Sequence, residues 1–279
     1  MYIWEERWTQ KNEHQKVVYY SDELNDDFAS SEITPVKINE DYKYIHKNPL
    51  WKLCAFIVYR VVFLIPGYIY AKVRYGLKIE NRSVLKKAKK QGYFLYSNHT
   101  QEVLDTFFPT FITFPRRVYV IANAKNVSIR FMKTLNKLLG ALPIPDTIKG
   151  MSKFKEAIKY YIDKKNVISI YPEAHVWPYY TKIRDFKSVS FEYPYELDKP
   201  CYSATTTYQK DAKGQAKIVI YVDGPFYADK TLPKKEAKEK LRNTVLDAMK
   251  VRSENSNIEV IKYIKKNKNE LKSDRGIYD

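Results

Sequence analysis

The hydrophobic positions divide the chain into one strongly apolar stretch and a long region of short alternating elements. From residue 79 onward, apolar runs of strand length such as VISIY alternate with segments whose apolar residues recur at helical spacing. Strand-like runs cover residues 92–97, 117–122, 142–144, 167–171, 201–208 and 216–222, and helix-like segments cover 81–90, 99–108, 128–139, 151–164 and 234–250. This alternation predicts an α/β fold, a layered sheet with helices on both faces.

The most apolar part of the chain, residues 51–71, precedes that region. A membrane-spanning helix needs about 20 apolar residues, and Arg60 near the middle of this stretch would add about 2.5–3.5 kcal/mol to its insertion. We therefore expect an N-terminal membrane-interface helix or helical hairpin, kinked at Pro66-Gly67. The alternative is a buried core helix. The basic side chains placed to reach lipid phosphates are Lys52, Lys72 and Arg74.

Composition shifts divide the chain into four parts. Residues 1–48 form a polar extension whose only strand-like run is 17–20, and its charged start gives no sign of a cleaved targeting segment. The membrane-interface segment follows at 49–75, and the α/β domain covers 76–250. We expect the tail, residues 251–279, to form a basic helix that frays.

The net charge narrows the range of partners. With 49 Lys and Arg against 32 Asp and Glu, the chain carries +17, so nucleic acid, phospholipid headgroups and acidic carrier proteins are the partners to consider. Hydrophobic residues make up 44%, which excludes a disordered chain and a polytopic membrane protein. Only 8 residues are glycine, and no P-loop or dinucleotide fingerprint is present. The two cysteines, Cys54 and Cys201, are far apart, which suggests a reducing compartment and no structural zinc.

The first candidate for chemistry lies where the 92–97 strand ends, at Asn98-His99. Asn98 suits the cap of a helix that begins at about His99. An acid that orients the imidazole would leave its other nitrogen free to act as a general base. Asp105 is six residues away and on a different helical face, whereas Glu102 at i+3 competes on plain helical geometry. Either acid remains possible on this pattern alone.

The second candidate follows the 167–171 strand, which runs into Pro172-Glu173 and then an aromatic, basic loop that contains Lys182 and Arg184. His175 lies two residues from Glu173, and a structural hydrogen bond to a backbone carbonyl is the interpretation we favour for it over a second catalytic base. The chain shows no zinc-type ligand spacing, so no metal is expected.

A strand that ends in an NH…D box, followed about seventy residues later by a strand that ends in PE, resembles the glycerolipid acyltransferases, in particular the 1-acylglycerol-3-phosphate acyltransferases. The resemblance covers roughly residues 76–225. It implies that His99 is the catalytic base, that Asp105 orients it, and that an acceptor hydroxyl attacks an acyl thioester directly. It also implies that Lys125 lies near the thioester carbonyl or the acceptor phosphate. Glu173, which matches the glutamate of the block written EGTR, is expected to be a substrate-binding residue.

Three departures from the family pattern stand out. Five residues rather than four separate His99 from Asp105. Asp146 stands where the second block ends in arginine, and Val176 stands where the third block has its arginine. Basic side chains that could replace these arginines as phosphate ligands are Lys125, Lys182 and Arg184.

The sequence thus predicts a membrane-associated O-acyltransferase of phospholipid synthesis, peripheral or monotopic on the cytoplasmic face. Its expected partners are anionic membrane lipids, a lysophospholipid acceptor such as 1-acylglycerol-3-phosphate, and a donor thioester on coenzyme A or acidic acyl carrier protein. No cofactor beyond that donor and no nucleic acid are expected. The alternatives are a basic nucleic-acid-binding protein, which charge and 25 tyrosines would suit, and a catalytically inactive protein with the acyltransferase fold.

Overall fold

The structure, a computed structural model, describes residues 16–28, 36–128 and 132–267. Its strands are β1 (Lys16–Tyr20), β2 (Lys78–Glu80), β3 (Tyr93–Ser97), β4 (Val118–Ala122), β5 (Ala141–Pro143), β6 (Val167–Ile170), β7 (Cys201–Lys210), β8 (Ala216–Phe226) and β9 (Ile261–Lys265). Its helices are α1 (Pro49–Tyr75), α2 (Phe108–Thr113), α3 (Met132–Leu139), α4 (Ile148–Asp163), α5 (Glu192–Leu197) and α6 (Lys234–Ser253). Short 3₁₀ helices cover Arg82–Ala88, Leu104–Thr106, Ala124–Val127 and Ser188–Phe191.

A seven-stranded sheet in the order β2-β8-β7-β3-β6-β4-β5 forms the centre of the fold. Its pairs are parallel except for the antiparallel hairpin β7-β8. Helices α4 and α6 pack on one face, and α2 with the end of α1 packs on the other. The predicted α/β architecture is therefore confirmed.

The helical periodicity of α4 explains how the first face is covered. Phe154, Ile158 and Ile162 recur every four residues, and all three are fully buried against the sheet. Thr147 caps the helix, with its side-chain oxygen accepting a hydrogen bond from the Gly150 N–H at 3.0 Å. The predicted segment 151–164 is thus confirmed, with a start three residues earlier than the apolar pattern indicated.

Helix α1 is one continuous helix, so the predicted hairpin is wrong. A π-helical stretch, Val58–Leu64, precedes Pro66, which lies in the first turn of the α-helical part that follows. The wider π-helical turn before Pro66 accommodates the missing proline N–H, so the helix continues without a reversal of the chain. Most of its apolar side chains face outward, and Val73 is 81% exposed.

The exposure of α1 also excludes a buried core helix, because only 6% of its most apolar window is buried. By length and composition alone, α1 is able to cross a membrane, which makes it compatible with membrane association. It rests on the sheet through α2. The Tyr59 and Thr110 hydroxyls lie 2.6 Å apart, and the Tyr68 ring meets Phe111 edge-on.

Two other predicted helices differ in the structure. The basic segment 81–90 forms the 3₁₀ helix Arg82–Ala88, which begins after Asn81 in a left-handed conformation without a side-chain cap. The helix expected over 99–108 is absent: a loop and the short 3₁₀ helix Leu104–Thr106 occupy that stretch. Pro109 lies in the first turn of α2 instead of ending a helix, because its missing N–H costs nothing there.

The ends of the described chain meet in a second, two-stranded sheet. The predicted strand at 17–20 is confirmed as β1, which pairs in parallel with β9. The tail was expected to be helical, and this is wrong for β9; residues 268–279 of that predicted helix lie outside the described residues. Tyr263 of β9 stacks on Trp177 with ring centroids 5.1 Å apart, and its hydroxyl donates to the Pro178 carbonyl. These contacts, together with the pairing to β1, hold residues 261–265 in an extended strand. A separate basic helix would lack them.

The burial of the two cysteines predicts how the chain reacts with a thiol reagent. Cys54 is exposed on α1, whereas Cys201 is buried and its burial raises the pKa of the thiol. We expect maleimide to modify one cysteine per native chain and two per chain in concentrated urea, as counted by mass spectrometry. Modification of Cys201 in the native chain would contradict the packing of β7.

Candidate active site

Three neighbouring parallel strands end at one edge of the sheet. His99 follows β3, Lys125 lies in the 3₁₀ helix after β4, and Glu173 follows β6. In open α/β sheets, ligands bind outside the carboxyl ends of the strands. The topology therefore brings these three sequence-predicted residues to the edge where a site is expected.

Asn98 shapes the loop that carries His99. Its side-chain Nδ2 donates to the Thr206 carbonyl at 3.0 Å, and its Oδ1 accepts from the Thr206 N–H at 2.8 Å. With both amide atoms engaged by β7, Asn98 cannot cap a helix, which explains why the predicted helix is absent. No local sequence pattern indicates this pairing, which joins residues 108 positions apart.

Asp105 is the acid that contacts His99. The Oδ2 atom of Asp105 lies 2.7 Å from Nδ1 of His99, and the same oxygen accepts backbone N–H groups from Thr100 and Gln101, each at 2.9 Å. One carboxylate oxygen thus folds the intervening loop back on itself and brings the side chains together. The alternative acid, Glu102, is not the carboxylate on Nδ1.

The electrostatics of this pair follow from its burial. The Asp105 side chain is 2% exposed and His99 is 22% exposed. Burial raises the pKa of Asp105, while the hydrogen bonds from His99, Gln101 and Thr100 act in the opposite direction. Because Asp105 faces Nδ1, Nε2 is the nitrogen available to a reacting group, with the ring edge open to solvent.

Tyr171, a residue that sequence reasoning did not single out, also contacts the imidazole. Its ring lies against His99 with centroids 4.6 Å apart, and its hydroxyl donates to the Asp105 backbone carbonyl. Tyr171 immediately follows β6, so the available signal was its position at the end of the strand-like run 167–171.

Glu173 holds the His99 loop in place through hydrogen bonds to its backbone and to the loop behind it. Its Oε2 accepts the His99 N–H at 3.0 Å, and its Oε1 accepts the Arg184 N–H at 2.9 Å. The Arg184 guanidinium also pairs with Oε2 at 3.2 Å, and both side chains are 1% exposed or less. Glu173 is therefore a positioning residue of the loop that carries His99.

The expected phosphate-binding role of Arg184 is wrong, because its guanidinium points into the protein. Besides Glu173, it donates to the backbone carbonyls of Glu23 and His175 and lies over the Trp177 ring. Lys125 and Lys182, the other two basic candidates, are both exposed.

Asp146, the residue in place of the family arginine, also has a structural task. Its Oδ2 accepts the Ile38 N–H at 2.8 Å, and its own N–H donates to the Ile38 carbonyl at 3.0 Å. This pairing attaches the N-terminal extension to the domain, and an arginine could not accept the first of these hydrogen bonds.

Among the described residues, the ring of His175 pairs with a carboxylate and not with the expected backbone carbonyl: its Nδ1 lies 3.2 Å from Oδ2 of Asp27, in the N-terminal extension. Within residues 16–28, 36–128 and 132–267, no three His, Cys, Asp or Glu side chains are grouped as metal ligands.

Comparison of the sequence with known protein families identifies the family of this chain. A family model described as Acyltransferase matches residues 76–224, more than half of the chain. The chain belongs to the acyltransferase family. The match confirms the resemblance drawn from the two boxes, and it supports an acyltransferase activity. No curated protein matches the acyltransferase chain in a sequence search.

The buried Glu173–Arg184 pair gives a stability prediction. In Glu173→Gln, an amide N–H₂ replaces an oxygen that accepts hydrogen bonds, and the Arg184 charge is left uncompensated in the interior. We expect a loss of about 3 kcal/mol in the free energy of unfolding, measured by urea denaturation.

The matched control is Asp163→Asn, which breaks the exposed Lys159–Asp163 pair and should cost under about 1 kcal/mol. Equal losses for the two variants would contradict the anchoring role of Glu173.

Proposed function

We propose that this acyltransferase moves a fatty acyl group from a thioester to the hydroxyl of a lysophospholipid, with His99 as general base and Asp105 as the acid that orients it. The 2.7 Å contact between His99 Nδ1 and Asp105 Oδ2 carries the proposal. The exposed ring edge lies at the ligand-binding edge of the sheet, where an incoming hydroxyl has access.

In the proposed reaction, Nε2 of His99 accepts the proton of the acceptor hydroxyl while the hydroxyl oxygen attacks the thioester carbonyl carbon. The carbon–sulfur bond then breaks as the tetrahedral intermediate collapses, and the imidazolium returns the proton to the departing thiolate. The products are an ester and a free thiol, with His99 restored to its neutral form. Asp105 stabilises the positive imidazolium that forms between these steps.

The extra residue between His99 and Asp105 does not separate their side chains. The loop absorbs it, because Asp105 Oδ2 accepts the Thr100 and Gln101 N–H groups and thereby draws the chain into a compact turn. This observation favours a working enzyme over the catalytically inactive alternative.

Direct transfer, without an acyl-enzyme, fits the two cysteines. Cys201 is buried with a raised thiol pKa, which disfavours a nucleophilic thiolate, and Cys54 lies on α1, outside the loops at the carboxyl edge. We propose that the thiol carrier is coenzyme A or acyl carrier protein, both of which are anionic and suited to a chain of charge +17.

For the acceptor, we propose 1-acylglycerol-3-phosphate, with its phosphate held by Lys125 and Lys182. Both lysines are exposed and follow strands that end at the edge carrying His99. Since Arg184 is internal, these lysines are the basic candidates from the sequence that remain available to a phosphate.

We further propose that the enzyme works at the cytoplasmic surface of a membrane, with α1 in contact with lipid. Phe63 of α1 stacks on Phe107 with centroids 5.8 Å apart, and Phe107 lies two residues from Asp105. The exposed apolar face of α1 thus adjoins the catalytic loop, so a lipid acceptor could reach His99 without leaving the bilayer surface.

Substitution of each member of the His99–Asp105 pair tests the proposed mechanism. Asp105→Asn and His99→Ala should each lower kcat about 10²–10⁴-fold, because the first removes the charge that orients the imidazole and the second removes the base. Glu102→Gln is the matched control and should retain near wild-type activity. Transfer to 1-acylglycerol-3-phosphate in liposomes, with acyl-CoA and acyl carrier protein donors in parallel, is the measurement.

Wild-type activity of His99→Ala would exclude the mechanism. If the variants respond as expected but another lysophospholipid is the better acceptor, the mechanism stands and the acceptor assignment is wrong.

Thiol labelling tests the contact between α1 and lipid. Cys54 is exposed on α1 in the free protein, so binding of α1 to vesicles should slow its reaction with a water-soluble maleimide about tenfold. The control is Lys213→Cys in a Cys54→Ser background, a position in the exposed β7-β8 turn that should react equally fast with and without vesicles. Unchanged labelling of Cys54 would place α1 away from the membrane.

A further inference from the structure

A second concave site lies at the opposite edge of the sheet. A cavity of about 460 Å³ opens at the amino ends of the strands, where Arg117 precedes β4, Gly140 precedes β5 and Asn166 precedes β6. Strands advance about 3.3 Å per residue, so the cavity and His99 are separated by about 20 Å along the strand direction. Its volume lies within the range of small-ligand sites. The cavity is distinct from the site at the carboxyl edge.

The cavity is lined by positive charge. Its cationic side chains are Lys43, Lys52, Arg60, Arg117, Lys137 and Lys164. No aspartate or glutamate is among the described residues that line it, and none of the six cations forms an ion pair within residues 16–28, 36–128 and 132–267. Elsewhere in the fold, lysines on the surface helices do pair with carboxylates, as Lys155 does with Glu192. The positive charge of the cavity is therefore uncompensated.

Burial and, to a smaller extent, neighbouring positive charges lower the pKa values of two basic groups in the cavity wall. Burial lowers the pKa of His46, and the charges of Lys137 and Lys43 lower it further. The pKa of Lys137 is also lowered, first by burial and then by Lys133. A bound anion would raise both pKa values, because an opposite charge favours the protonated form.

Three residues that line the cavity each have a buried polar atom without a hydrogen-bond partner among the described residues: the Tyr42 hydroxyl, Nε2 of His46 and Nη1 of Arg60. Each such atom costs about 1–3 kcal/mol when it is left unsatisfied. Arg60 Nη1 can only donate, and the other two can donate in one of their forms. A group of donors around a cavity matches a ligand with several acceptor oxygens.

The side chains around the cavity are held in place by packing. His46 stacks on Trp51 with centroids 4.2 Å apart, and the Lys137 ammonium lies 4.4 Å from the centre of the Tyr42 ring. The donors are thus positioned before a ligand arrives, which lowers the entropic cost of binding.

We propose that this cavity binds a phosphate group, and that this phosphate belongs to the headgroup of an anionic phospholipid. The part of the cavity wall that α1 forms indicates that the phosphate belongs to a lipid. Trp51 and Phe56 of α1 line the cavity, and Phe56 is 58% exposed, next to Leu53 at 55%. Acyl chains of a lipid held by its phosphate would continue along this apolar face. The site uses no residue of the catalytic edge, so it does not rest on the proposed function.

Tyr42→Phe is the sharpest test, because it removes one unpartnered hydroxyl and no charge. The full chain is sedimented with phosphatidylcholine vesicles that contain or lack phosphatidylglycerol. We expect Tyr42→Phe to weaken binding to the anionic vesicles about tenfold, as a lost hydrogen bond to a charged group does. The variant should unfold at the wild-type temperature or above, since it loses a buried unsatisfied hydroxyl.

Charge removal gives a second, matched comparison. Lys137→Gln with Lys164→Gln should weaken binding to anionic vesicles about thirtyfold, because each lysine near an anionic surface contributes a factor of about five. The control, Lys213→Gln with Lys235→Gln, removes the same charge at exposed positions away from the cavity and should change binding much less.

A titration with inorganic phosphate separates the two possible sources of the phosphate. If phosphate raises the unfolding temperature of the wild type but not of Tyr42→Phe, and the variant also loses vesicle binding, the lipid-headgroup assignment is supported. If only the response to inorganic phosphate changes, the phosphate site stands and the lipid source is overturned. If Tyr42→Phe matches the wild type in both measurements, the proposal as a whole is overturned.

Discussion

The architecture at the carboxyl edge of the sheet depends on how the buried charge of Glu173 is neutralised. Its carboxylate has to find hydrogen-bond donors inside the protein, and it finds them in two loops at once, at the His99 N–H and at the Arg184 backbone and guanidinium. A buried carboxylate that lost either set of donors would be strongly unfavourable. The position of His99 is therefore set by an electrostatic requirement of the interior, while Asp105 sets the orientation of its ring.

Two residues at or near the departures from the family pattern attach the N-terminal extension to the domain. Asp146 ties Ile38 of the N-terminal extension to the domain, and Arg184 lies in the interior with its guanidinium donating to Glu23 of that extension. Asp146, which replaces a family arginine, and Arg184 both attach the polar extension to the domain. An acceptor phosphate would therefore have to bind to other cations. A basic residue near the end of a strand can be assigned to a ligand only after its contacts inside the protein are known.

The sequence predicted those parts of the fold in which local periodicity and burial agree. The four-residue spacing of Phe154, Ile158 and Ile162 is sufficient to define α4, and the short apolar runs define the central strands. The loop after β3 was not predictable in the same way, because Asn98 meets Thr206 across 108 residues, and that long-range pairing overrides its local preference as a helix cap. For the acid on His99, helical spacing favoured Glu102, but Asp105 makes the contact because the segment is not helical. The cavity at the amino edge involves five segments that are separate in sequence, so no local pattern pointed to it.

The pairing of β1 with β9 links the order of synthesis to the completion of the active-site region. Lys16 is paired with Ile261, so the ribosome has to release nearly all of the described chain before this sheet is able to form. Until then, Trp177 lacks the stacked ring of Tyr263. The backbone N–H of Trp177 donates to the His99 carbonyl, so this stacking lies next to the His99 loop. The aromatic side of the loop behind the imidazole is therefore covered only once β9 has been synthesised. The final packing around His99 thus depends on a strand near the end of the described chain.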